Sequence, residues 1–79
     1  MESILHEVEK LPDGNGKRLL LRSLQTAQKY IDELNEQELE NVNNRLLGLY
    51  AVMSKKEQDI ADMIMNEITE VIGKTWKQE

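Results

Sequence analysis

The chain has 79 residues, no cysteine and a formal net charge of −5. A chain of this length is near the lower size limit for a self-sufficient core, so we expect a single helical domain over residues 1–79. The lack of cysteine excludes disulfides and thiolate metal sites. The acidic balance argues against sequence-independent binding of nucleic acid, which depends on neutralising phosphates.

No apolar run approaches the roughly 20 residues of a membrane span. The N-terminus also lacks the basic segment and apolar core of a secretory signal. We therefore expect a cytoplasmic protein with no membrane contact.

The first predicted helix is short. Its apolar residues recur at helical spacing and are Ile4, Leu5, Val8 and Leu11. Ser3 is a candidate cap. The helix must stop by Pro12, because proline disfavours helical dihedrals at the residue before it, and residues 12–16 form the strongest turn signal in the chain.

The second helix is predicted to begin near Asn15 or Gly16 and to run to Leu34. Its apolar seam has a 4-3-4-3 spacing typical of helix packing and consists of Leu20, Leu24, Ala27, Ile31 and Leu34. Asn35, with Glu38 three residues later, indicates a cap with its reciprocal acid. A new helix is therefore expected to begin there.

The third helix carries an apolar seam of Leu39, Val42, Leu46, Leu49 and Met53. Gly48 lies inside it and is interpreted as permitting a close contact with another helix. Ser54 and Glu57 match a capping box, which predicts a fourth helix that ends at Gly73. In the alternative, the third and fourth helices are fused, but Lys56 would then occupy a costly core position.

The predicted fold is all-α, a small antiparallel bundle of one short N-terminal helix and three longer ones.

The sequence contains few of the residues that catalysis requires. His6 is the single histidine, and Ser3 and Ser54 are explained as caps, so no base-activated nucleophile is evident. Residues 13–16 resemble part of a calcium loop but lack its flanking acids. We expect no enzymatic activity, no metal and no cofactor.

Apolar residues exceed what one face of each helix requires. The additional ones are Leu19, Leu21, Leu47, Tyr50, Ala61, Met63, Met65 and Ile72. A helix that is apolar over more than one stripe is buried on more than one side. The surplus fits either a central position in the bundle or a second interface. It predicts a homodimer or higher oligomer through the third and fourth helices.

Two charged stripes follow helical spacing. The basic stripe on the second helix is Arg18, Arg22 and Lys29, with Gln25 between them. The acidic stripe on the fourth helix is Asp59, Asp62, Asn66 and Glu70. Three interpretations are open: solvated faces, stripes that face each other, or a charged surface for a partner.

The start of the second helix carries cations where the helix dipole prefers acids. Because of these cations, one hypothesis for the turn is an anion-binding site. Its residues would be Asn15, Gly16, Lys17 and Arg18. The alternative is a plain turn and helix cap.

Near the C-terminus, Met63, Met65, Ile72 and Trp76 are candidate contacts to a partner protein, because methionine adapts to irregular surfaces. In the alternative interpretation, Trp76 covers the open end of the core.

The leading functional hypothesis is a non-enzymatic protein-binding regulator, such as an inhibitor, antagonist, immunity-type or adaptor protein, that acts through helix-face contacts. The alternatives are a nucleic-acid-associated regulator that uses the basic stripe and a self-assembling structural subunit.

Overall fold

A computed structural model describes the backbone of residues 2–76 and the side chains of residues 2–73. The helices in this part of the chain are α1 (Glu2–Glu9), α2 (Asn15–Glu33), α3 (Glu36–Leu49) and α4 (Lys55–Trp76). A 3₁₀ turn over Tyr50–Val52 joins α3 to α4. The described residues contain no strand, and the predicted all-α antiparallel bundle is confirmed.

The core lies between α2, α3 and α4, and α1 packs across α2 and α4. The bundle measures 42 × 24 × 15 Å along its principal axes. Most of the predicted seam positions are buried, among them Val8, Leu20, Leu24, Ala27, Leu39, Val42, Leu46, Ile64 and Ile68. Burial of these apolar side chains at about 25 cal/mol per Å² is the main force that stabilises the fold.

Side-chain caps define the starts of α3 and α4. The Glu38 backbone N–H donates to Asn35 Oδ1 at 3.2 Å. At α4, the Ser54 N–H donates to Glu57 Oε1 at 2.7 Å, and the Glu57 N–H donates to Ser54 Oγ at 3.3 Å. This is the predicted capping box. The two helices are therefore separate, and the fused alternative is wrong.

The corner between α2 and α3 differs from the prediction. Leu34 was expected in the core, but its backbone is left-handed, with a φ of 54°, and its side chain is 55% exposed. The Leu34 and Asn35 N–H groups donate to the carbonyls of Ile31 and Tyr30, which satisfies the end of α2. Because the Asn35 N–H is used in this way, Glu38 does not complete the predicted reciprocal cap.

A left-handed conformation costs an ordinary residue roughly 1–2 kcal/mol. Glycine or asparagine is the usual residue at such a helix end. Leu34 is the one non-glycine residue with positive φ in the described residues. The turn therefore does not explain why a leucine occupies position 34.

Three further details correct the sequence-based expectations. Ser3 lies inside α1, which begins at Glu2, so it is not the cap. Gly73 does not end α4, which continues to Trp76, because a single glycine costs a helix only about 1 kcal/mol. Gly48 is exposed, and a Cβ there would meet nothing within 4 Å, so it does not mark a close contact.

Candidate protein-binding surface

The basic stripe of α2 lies on the surface of the bundle. Arg18, Arg22, Gln25 and Lys29 are all exposed. No ion pair joins either arginine to another residue in the described part of the chain. Lys29 Nζ lies 5.4 Å from the centre of the Tyr30 ring, a cation–π distance. The two arginines therefore present unneutralised guanidinium groups to the solvent.

Two adjoining grooves border the basic stripe. The first lies between α1 and α2, has a volume of about 300 Å³, and is lined by Glu2, Leu5, Leu24, Gln25 and Gln28. The second, of about 510 Å³, is lined by Arg18, Leu19, Leu21, Arg22 and Gln25. Gln25 belongs to both. Arginine beside partly buried apolar side chains is a combination enriched in protein interfaces.

The acidic stripe of α4 is used within the molecule at two of its positions. Asp59 pairs with Lys55 at 2.8 Å, and Asp62 Oδ2 accepts a hydrogen bond from the Tyr50 hydroxyl at 2.9 Å. Asn66 and Glu70 are exposed. The ion pairs of the described residues include none between α2 and α4. The interpretation that the two stripes face each other is therefore wrong for these residues.

Two hydrogen bonds hold the 3₁₀ turn against α4. Besides the Tyr50–Asp62 bond, Gln58 Nε2 donates to the Tyr50 carbonyl at 2.9 Å. The hydrogen bond to Asp62 raises the pKa of Tyr50 above its ordinary value of 10.0. The hydrogen bond to Asp59 likewise raises the pKa of Lys55 above 10.5.

These shifts predict a loss of stability in alkali. A group whose pKa is raised on folding stabilises the protein below its unfolded pKa, and this contribution disappears as the pH rises through the folded pKa. Urea unfolding should therefore give a lower free energy of unfolding at about pH 11 than at about pH 9. Tyr50→Phe, which lacks the titrating hydroxyl, should show a smaller loss. An identical pH dependence in both proteins would contradict this role for Tyr50.

The structure separates the residues of the predicted anion site. Lys17 Nζ donates to the Glu9 carbonyl at 3.2 Å and to Asp13 Oδ1 at 3.4 Å, so it is directed towards the end of α1. A Cβ at Gly16 would overlap the Glu57 carboxylate, so an internal acid already occupies the space beside Gly16. Asn15 and Arg18 are exposed.

The predicted contacts near the C-terminus have different environments. Met63 is 44% exposed and lines a groove of about 280 Å³ between α1 and α4. Met65 and Ile72 are partly buried and pack against the core, and Ala61 is fully buried. The Trp76 side chain lies outside the described residues. Among residues 55–73, Met63 is the one surplus apolar residue of α4 whose side chain is exposed.

An apolar groove at the end of the bundle was missed by the sequence analysis. It has a volume of about 220 Å³ and is lined by Asn15, Gly16, Leu19, Leu49, Val52, Met53 and Glu57. We call it the end groove. Val52, at its rim, is 82% exposed. The sequence-based prediction assumed one continuous apolar seam from Leu46 to Met53. The 3₁₀ turn changes the helical phase within this stretch, so the predicted seam did not reveal the groove.

None of the helices in residues 2–76 is both long and apolar enough to cross a lipid bilayer. Within the same residues, no group of three or more histidine, aspartate or glutamate side chains converges in a way that could hold a metal ion. The chain matches no protein-family model, and no curated protein or solved structure is significantly similar to it.

Proposed function

We propose that this chain is a non-enzymatic protein-binding regulator, of the inhibitor, antagonist, immunity or adaptor type, that acts through helix-face contacts on the α1–α2 side of the bundle. The observation that carries the proposal is the pair of arginines, Arg18 and Arg22, which line an apolar groove on α2. A cytoplasmic location is part of the proposal, since a chain without cysteine needs no oxidising compartment to fold.

The proposed partner presents an acidic, amphipathic helix. Its apolar face would lie along Leu5, Leu19 and Leu21, which are partly exposed, as amphipathic helices lie in hydrophobic grooves. Its carboxylates would meet Arg18 and Arg22, because arginine binds carboxylates in a bidentate manner. The chain as a whole has a net charge of −5, so the basic stripe is a locally positive surface on an acidic protein. Complementary charges would therefore select the partner and its orientation.

The test is affinity capture from the native lysate, identification of the captured protein by mass spectrometry, and titration of the purified pair. Arg22→Glu should weaken binding by roughly 30-fold or more, the loss of at least about 2 kcal/mol expected of a hot spot. Lys10→Glu is the matched control. It makes the same charge change in the turn after α1, at a residue whose interaction with Glu7 is exposed and worth little.

Equal binding by the two variants would refute the proposed surface. The nucleic-acid alternative has a different signature. If the stripe binds phosphates, affinity for duplex DNA should fall steeply with salt, and the captured material should contain nucleic acid. A protein partner lost on Arg22→Glu, with no measurable affinity for DNA, would exclude that alternative.

A further inference from the structure

The first turn of α2 contains a chemically labile pair of residues. Asn15 is the one asparagine in the sequence that is followed by glycine. Because glycine has no Cβ, its backbone can approach the preceding side chain closely. Asn15 is also exposed, so water reaches its side-chain amide. At this pair, the backbone nitrogen of Gly16 can attack the amide carbon of Asn15.

The Gly16 nitrogen is free to act as this nucleophile. It belongs to the first turn of α2, where backbone N–H groups have no partner inside the helix. In the described part of the chain, no backbone carbonyl accepts a hydrogen bond from the Gly16 N–H, and the first such bond of α2 runs from the Arg18 N–H to the Gly14 carbonyl at 3.2 Å. Glycine also weakens a helix, so this turn opens more readily than the helix interior.

A carboxylate lies beside the same nitrogen. The Glu57 side chain fills the space that a Cβ at Gly16 would occupy, and Oε2 is its nearest atom. That space adjoins the Gly16 Cα, to which the nitrogen is bonded. The cap of α4 holds the carboxylate in place through its other oxygen, because Oε1 accepts from the Ser54 N–H at 2.7 Å. Oε2 is therefore placed to take the proton of the Gly16 N–H.

We propose that Asn15 is a site of self-catalysed deamidation, with Glu57 as the base. The Gly16 nitrogen forms a bond to Asn15 Cγ and gives its proton to Glu57 Oε2. The bond from Cγ to the amide nitrogen then breaks, and ammonia leaves with the proton that Glu57 returns. Water opens the resulting cyclic imide at either carbonyl, which gives aspartate or isoaspartate at position 15. Water is the only other reactant.

Both products change the surface at the start of α2. Each adds one negative charge to a chain with a net charge of −5, and an acid at position 15 can pair with Arg18 one helical turn later. Isoaspartate also lengthens the backbone by one carbon, which disrupts the bond between the Arg18 N–H and the Gly14 carbonyl. The reaction thus reduces the positive charge of this surface with time. It needs no partner and does not rest on the function proposed above.

Peptide mapping by mass spectrometry tests the site. The folded protein is incubated near neutral pH until residue 15 of the urea-unfolded chain has reacted. Residue 15 of the folded protein should by then show the mass gain of an amide nitrogen exchanged for oxygen, ahead of the other asparagines, which are Asn35, Asn41, Asn43, Asn44 and Asn66. Rearrangement of Asp13 conserves mass and is not counted. An intact residue 15 in the folded protein would overturn the proposal.

Glu57→Gln tests the base. Glutamine still caps α4, because its side-chain oxygen accepts the same hydrogen bond, and circular dichroism would verify the helices. Since glutamine takes up no proton, the reaction at residue 15 should slow by about tenfold or more, as a positioned general base commonly contributes roughly 100-fold or more.

Glu70→Gln is the matched control. It removes one negative charge at an exposed position of the same helix, and residue 15 should react at the wild-type rate. If Glu57 were not the base, its replacement would leave the rate unchanged, or raise it by attracting hydroxide or loosening the turn. An unchanged or faster reaction in Glu57→Gln would therefore refute the role of Glu57.

Discussion

Replacement of Leu46 by alanine is expected to lower the free energy of unfolding by about 3.5 kcal/mol, the middle of the range for a buried leucine. Leu46 is fully buried in α3, and its truncation removes apolar contacts and leaves a cavity. For a chain of 79 residues, total stability is on the order of 4 to 12 kcal/mol. The variant should therefore be marginal, with a urea midpoint far below that of the wild-type protein.

Leu47 provides the matched control. It is the next residue of the same helix and is 64% exposed, so Leu47→Ala makes the same chemical change outside the core. Its effect should stay within about 0.5 kcal/mol. Equal losses for the two variants would mean that α3 does not present Leu46 to the core. The comparison thus tests the rotation of α3 about its own axis.

Leu34→Gly is expected to make the protein more stable, by about 1 kcal/mol. Relief of the left-handed conformation contributes roughly 1–2 kcal/mol, and the greater freedom of glycine in the unfolded chain offsets roughly half of this gain. For a domain of this size, the midpoint of thermal unfolding should rise by about 5 °C. The measurement is thermal unfolding at low protein concentration.

Leu34→Ala separates the two properties of the side chain. Alanine removes the exposed isobutyl group but keeps a Cβ in the left-handed region, so the strain remains. Its stability should stay close to that of the wild-type protein. If Leu34→Ala stabilises as much as Leu34→Gly, exposure of the leucine is responsible rather than its backbone conformation.

Helical spacing identified the core of this protein well, because burial imposes a strict period on an α-helix. Leu20, Leu24 and Ala27 on α2 occupy the positions that the 4-3-4-3 pattern predicts. The boundary between α3 and α4 could also be predicted, since Ser54 and Glu57 complete a local motif in which each side chain satisfies the other residue's backbone N–H. Both successes rest on interactions within a few residues of the chain.

The failures occurred where local rules compete with tertiary context. Leu34 fits the apolar pattern of α2, but its own left-handed backbone takes its side chain out of the core. Glycine commonly ends a helix, yet α4 continues through Gly73. The end groove could not be predicted, because it combines α2, α3, the 3₁₀ turn and α4 in one place.

The charged surfaces were partly predictable. Helical spacing alone placed Arg18, Arg22 and Lys29 on one exposed face of α2. It could not determine which charges find partners, because a pairing between helices depends on their relative rotation. Only the structure shows that Asp62 is directed towards Tyr50 and that Lys17 is directed towards Asp13.

The contact between Gly16 and Glu57 has an evolutionary consequence. The Glu57 carboxylate caps α4 and also fills the space that a Cβ at position 16 would occupy. A mutation that adds a side chain at position 16 would displace this carboxylate and weaken the start of α4. Positions 16 and 57 are therefore expected to covary across divergent sequences, with glycine at 16 accompanying glutamate at 57 and a shorter residue at 57 permitting alanine or serine at 16.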